Sequence, residues 1–166
     1  RMSARLPAVK KAGSQEIAVV KNEDFVTATI ANQLFGIPVL QVQDVLGPQK
    51  ITRIPLAPPE VAGSLNLRGR IVTAIDVRLR LGLPPRPADG KPVMSIVVDH
   101  KGELYSLMVD NVGEVLSLSS DDFERHPATL DPRWREISTG IYRLKETLLV
   151  VLDVSKLLNF ANIEAA

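Results

Sequence analysis

Apolar residues along this chain fall in short blocks separated by turn-forming ones, with no sustained helical period. Residues 25–30 and 94–98 are β-branched runs of strand length. A polar turn follows each, at 31–33 and 99–102, and then a second apolar run at 34–39 and 104–109, which predicts two hairpins. Pro38 lies inside the second run of the first hairpin, so that strand is expected at a sheet edge or at a bulge. Further strands are predicted at 51–54, ended by Pro55, at 71–75 and at 148–152. Residues 58–63 open on Pro and close on Gly and read as one helical turn, and 131–140 as a longer helix capped by Asp131. Asp76 and Asp153, each ahead of a leucine-containing stretch, are expected to cap two more short helices.

The blocks occur twice. The run 34–39 returns at 104–109, and Val42, Gln43, Asp44, Val45 and Leu46 return as Val112, Gly113, Glu114, Val115 and Leu116, both 70 positions on. Gly63 returns as Gly140, Leu67 as Leu144 and Asp76-Val77 as Asp153-Val154, now 77 positions on, with an insertion around 126–132 accounting for the change. A duplicated module follows: copy one spans 25–83, copy two spans 94–160, and a proline-rich link joins them. Residues 1–24 and 161–166 are expected to be tails. About five strands per copy are too few for a sandwich, so the expected class is all-β, two small barrels with short helices.

Composition narrows the chemistry. The 166 residues are enough for one domain that buries about two-thirds of its unfolded surface. There is no cysteine, which excludes disulfides, thiolate metal sites and cysteine nucleophiles, and there are only two histidines, His100 and His126. Both sit in predicted loops without a partner at metal-ligand spacing, and are expected to be solvated. No nucleophile elbow, phosphate loop or dinucleotide fingerprint is present. The expectation is a protein without catalytic activity, cofactor or metal. No run approaches the roughly 18 apolar residues of a membrane helix, and the first residues lack the apolar core of a signal peptide, so the expected location is cytoplasmic.

The net charge of +1 conceals a polarity: residues 1–24 carry +2, residues 25–91 carry +4 and residues 92–166 carry −5. Such a distribution suits oriented association with a partner. Arg68, Arg70, Arg78 and Arg80 are close in sequence and raise the alternative of a nucleic-acid-binding double barrel. Single-strand binding needs aromatic stacking platforms, and no aromatic residue lies between Phe35 and Tyr105. Residues 66–70 form either a plain hairpin turn or one that presents an arginine. Copy two has Arg143, Leu144, Lys145 and Glu146 there, without the Asn or the Gly. Positions that break the repeat are the stronger functional candidates, because positions that keep it are already explained by the fold. Asp44 and Glu114 keep it, and stay open between surface and binding.

The segments 35–37, 42–45, 51–55, 63–69 and 75–78 resemble the CheW family of bacterial chemotaxis coupling proteins, and the likeness runs from about Phe25 to Phe160. The resemblance implies two five-stranded SH3-like barrels around a shared core. It implies a non-catalytic adaptor that joins the cytoplasmic tips of methyl-accepting chemoreceptors to the regulatory domain of the histidine kinase CheA. Receptor helices are then expected along a groove between barrels, at Val42, Asp44, Val45, Gly63, Asn66, Arg68 and Gly69, with the kinase at apolar barrel ends. Recruitment is to membrane-anchored receptor arrays, without insertion in the membrane and without nucleic acid. Three positions depart from the family pattern: Asp44 stands where Glu is common, Thr73 where Pro is frequent, and Arg70 where an apolar residue is usual.

Overall fold

The computed structural model describes residues 21–128 and 130–160. In chain order the strands are β1 (Asn22–Ile30), β2 (Gln33–Pro38), β3 (Val42–Leu46), β4 (Val61–Leu67), β5 (Arg70–Asp76), β6 (Met94–His100), β7 (Glu103–Val109), β8 (Asn111–Ser119), β9 (Phe123–Glu124), β10 (Ser138–Arg143) and β11 (Leu148–Leu152). Three short helices, α1 (Val77–Arg80), α2 (Pro132–Arg135) and α3 (Val154–Leu158), complete the described residues together with two single 3-10 turns. One sheet has the order β8-β1-β2-β11-β10-β9 and the other β3-β6-β7-β5-β4. The all-β class with few short helices is therefore the observed one, with β9 as the sixth strand of the larger sheet.

The duplication is visible in the pairing. Strand for strand, β3-β6-β7-β5-β4 repeats β8-β1-β2-β11-β10, and in each sheet the hairpin of one copy pairs with strands of the other. The joins are the two parallel pairs, β2 with β11 and β5 with β7. These strands are buried on both faces, which explains their unbroken apolar runs. In β11, Val150 and Leu152 enter the core shared by the two sheets, while Leu149 and Val151 face a smaller cluster with Phe25 and Tyr142. A third cluster of Leu65, Val72, Ala74, Val97 and Leu104 belongs to the five-stranded sheet. Each sheet thus has its own small core on one side and the shared core on the other.

Several predicted elements come out differently. Residues 51–54 do not form a strand; only Thr52 pairs, in an isolated bridge to Ser64 with both hydrogen bonds at 2.8 Å. Residues 58–63 are not helical, because Val61 N donates to Pro58 O across a tight turn that feeds directly into β4. The helix expected over 131–140 stops at Arg135, since Ile137 turns into the core and Ser138 joins β10. Strand β2 is central rather than an edge; Pro38 is tolerated because it is the last residue, beyond the reach of β11. At the N-terminal side β1 starts at Asn22, paired with Ser119, so residues 22–24 belong to the sheet. The remainder of the expected tails, 1–20 and 161–166, lies outside the described residues.

Candidate functional site

Strands β4 and β5 are joined by a two-residue turn at Arg68 and Gly69, flanked by the pair Leu67 and Arg70. Both central residues have positive φ, +52° and +85°, which is the mirror-image turn that matches the twist of a hairpin. Asn66 Oδ1 accepts from Gly69 N at 3.0 Å and holds the turn. Arginine is a poor residue for a left-handed conformation, at a cost of about 1 kcal/mol. The turn holds it there with its side chain 75% exposed.

Strand β3 supplies the partner. A bulge after Val42 leaves Gln43 without a cross-strand residue, and Asp44 pairs with Val97 of β6. Asp44 Oδ1 accepts from Val45 N at 2.8 Å, and Oδ2 receives Arg68 Nη2 at 2.9 Å. Since β3 and β4 are the two ends of the five-stranded sheet, this ion pair between β3 and the β4–β5 turn draws those ends together, while the Thr52–Ser64 bridge lays the connecting segment along β4. The pair is too exposed to contribute more than about 1 kcal/mol to stability. Its effect is to aim the guanidinium.

The seven sequence candidates divide by environment. Asp44, Val45, Asn66, Arg68 and Gly69 gather at this edge, with Val45 40% exposed. Val42 is half-buried against the shared core. Gly63 is buried at φ +150°, where a Cβ would strike the Thr52 carbonyl oxygen, so glycine there serves the bridge. Gly140 repeats the arrangement against Glu124 O, where β9 pairs with β10. The arginines do not form one patch: Arg68 faces Asp44, Arg78 faces Asp110, and Arg80 donates to Leu157 O and lies over the Phe160 ring. Three of the four clustered arginines are thus engaged by separate groups of the chain and not turned to one common groove.

Sequence reasoning missed a second charged centre. Asp110, between β7 and β8, accepts from Arg78 Nη2 at 2.7 Å, Arg78 Nε at 3.2 Å, Arg86 Nη1 at 2.8 Å and Ala31 N at 2.8 Å. Burial pushes the Asp110 carboxyl up, but the hydrogen bonds from Arg78 and Ala31 and the two guanidinium charges together hold it below its ordinary value. Arg78 is raised in turn, chiefly by the hydrogen bond to Asp110. The signal was available: Asp110 stands where copy one has Leu40, and Arg78 where copy two has Ser155, so both break the repeat.

Both histidines were expected to be solvated; His100 is buried, and His126 is half-buried in its loop. His100 is the buried end of β6, 6.2 Å from the Tyr105 ring, and His126 Nε2 lies 2.8 Å from Ser138 O. Among the described residues no group of three His, Asp or Glu is arranged to hold a metal ion, and no helix is long and apolar enough to cross a membrane.

The chain matches the CheW-like domain over residues 24–162. It is 31% identical over 147 residues to the chemotaxis protein CheW of Klebsiella aerogenes, covering 82% of either chain. With the chemotaxis protein CheW of Helicobacter pylori the identity is 27% over 147 residues, covering 89% of this chain and 88% of that one. The crystal structure of the scaffolding protein TtCheW from Thermoanaerobacter tengcongensis superposes with a TM-score of 0.75 at 27% identity, covering 84% of this chain and 94% of that one. Matched from β1 through α3, in sequence and in fold, the chain belongs to the CheW-like family.

Proposed function

We propose that the chain is a chemotaxis adaptor that acts by binding alone, joining chemoreceptor tips to the histidine kinase CheA. The observation that carries this reading is the exposed Arg68 guanidinium, held by an unfavourable turn and aimed by Asp44 beside the exposed Val45. A strained, solvent-facing arginine is a recognition device more readily than a folding one. Val115 of β8, 57% exposed, stands at the repeat-equivalent of Val45 and extends the apolar surface offered to receptor helices. For the kinase regulatory domain, the fitting surface is the cavity of about 510 Å³ lined by Ile54, Pro58, Val61 and Ile71. Ile71 is 69% exposed there, and Leu56 projects fully into solvent from the adjoining loop.

Single contacts of this size are weak, and repetition in a receptor array gives the assembly its strength. The test is reconstitution of receptor, kinase and this protein. Arg68→Glu is expected to leave folding intact and abolish receptor control of the kinase. Undiminished activation by that variant overturns the assignment.

A further inference from the structure

The surface offered to receptor helices repeats in its apolar residues and differs in its charges. Val42 and Val112, one from each copy, pack against the shared core, and Val45 and Val115 stand exposed beyond them. Each strand has a bulge after its first valine, and Val45 then pairs with Ile96 as Val115 pairs with Val26. β8 also lies against β6, the strand that pairs with β3, so both edges border one core. The reciprocal exchange of strands relates the copies by a half-turn. With these valines alone, an amphipathic helix would dock equally well in either direction, because a half-turn exchanges the two edges.

The charges break that equivalence. At β3 the Asp44 carboxylate is occupied, Oδ1 by Val45 N and Oδ2 by Arg68, so the guanidinium is the group left facing solvent. At β8 Glu114 stands in Asp44's place, and copy two gives it no cation. Lys145, in the place of Arg68, forms no ion pair among the described residues, and Arg143 is taken by Glu124 at 2.6 Å. Glu114 is exposed, yet its backbone is pinned, since the buried Thr27 hydroxyl donates to Glu114 O at 2.6 Å. Gly113 makes room for that bond, because a Cβ there would stand 2.7 Å from the same hydroxyl oxygen. We propose that Glu114 and Arg68 together fix the direction in which a receptor helix lies, an inference that rests on reading this surface as the receptor site. The helix that fits has an apolar stripe between two charged flanks, carboxylates facing Arg68 and lysines or arginines facing Glu114. Turned end for end, it sets like charges against each other on both edges, which interfaces penalise. The polarity of the chain acts in the same sense, with +4 on residues 25–91 and −5 on residues 92–166.

The probes are three synthetic helices with one shared leucine stripe: glutamates on one flank and lysines on the other, glutamates on both, or lysines on both. Each is titrated into the full chain and followed through the amide signals of Val45 and Val115. The mixed helix is expected to bind several-fold more tightly than either of the others. Glu114→Lys should transfer the preference to the all-glutamate helix, and Arg68→Glu to the all-lysine helix. Both side chains are exposed, so unchanged amide shifts away from the site verify the fold. A nitroxide on the amino end of the mixed helix should broaden signals at one end of the groove only. On the counterpart with glutamates and lysines exchanged, it should broaden the other end. Equal binding of all three helices, or broadening of both ends alike, overturns the assignment of direction and leaves the groove a helix site. If none of the helices moves Val45 or Val115, the receptor-helix reading itself falls, and this inference with it.

Discussion

At Arg68 the chain holds a residue that its own backbone disfavours. Asparagine or glycine is the usual occupant of the first position in such a turn, and asparagine followed by Gly69 is the favoured pair. Arg68→Asn is therefore expected to stabilise the protein by about 0.5–1 kcal/mol in urea denaturation, and to weaken receptor coupling in the same reconstitution. A variant that is both less stable and fully coupled contradicts this account of the arginine. Gly63 shows the opposite relation between residue and backbone. Gly63→Ala places a methyl against the Thr52 carbonyl, which accepts from Ser64 N in a residue held by both bonds of the bridge, and is expected to cost about 2–3 kcal/mol. Thermal denaturation measures it, and Gly140→Ala at the repeat-equivalent position should behave alike.

The short helices show how far local sequence reaches. Asp76 Oδ1 accepts from Leu79 N at 3.2 Å and Asp153 Oδ1 from Lys156 N at 3.1 Å, as their places ahead of leucine-containing stretches require. Neither cap needs a distant partner, so both were legible. Alanine at either position is expected to cost about 1 kcal/mol in chemical denaturation. The hairpins and β11 were legible for the same reason, since turn residues and apolar runs are local signals. Residues 58–63 misled because the tight turn at Pro58 shares its Pro-to-Gly punctuation with a helical turn, and only the pairing of Val61 with Ile75 decides for a strand. The exchange of strands between copies was not legible, because the repeat defines equivalent strands and says nothing of which copy each one pairs with. Of the candidate site, the chemistry of Asn66, Arg68 and Gly69 was readable from the broken repeat. The approach of Asp44 to Arg68 was not, since it depends on the curl of a whole sheet.

Across the whole molecule the two sheets meet at Asp110. Its carboxylate binds the Ala31 amide in the β1–β2 turn of one sheet and the Arg78 guanidinium in α1, which follows β5 of the other. Arg78 also donates to Pro84 O and Pro85 O, and Arg86 to Lys91 O, so the link between the copies is strapped to the same point. With Arg78 nearly buried, loss of its partner leaves a charge in a poor environment. Asp110→Asn is expected to cost about 2–3 kcal/mol at neutral pH, less than a fully buried pair because Asp110 retains some solvent contact. The pH dependence has a definite sign. The carboxyl is held below its ordinary value in the folded protein, so between that value and about pH 4 the unfolded chain binds the proton and the folded one does not. Stability from Asp110 is thus complete above about pH 4 and is lost as the pH falls below it. Urea midpoints followed from pH 7 down to pH 3 should converge for the wild-type and Asp110→Asn proteins, with the gap closing only at the acid end. A gap that keeps its size at pH 3 would mean that the carboxylate's charge is not what joins the sheets.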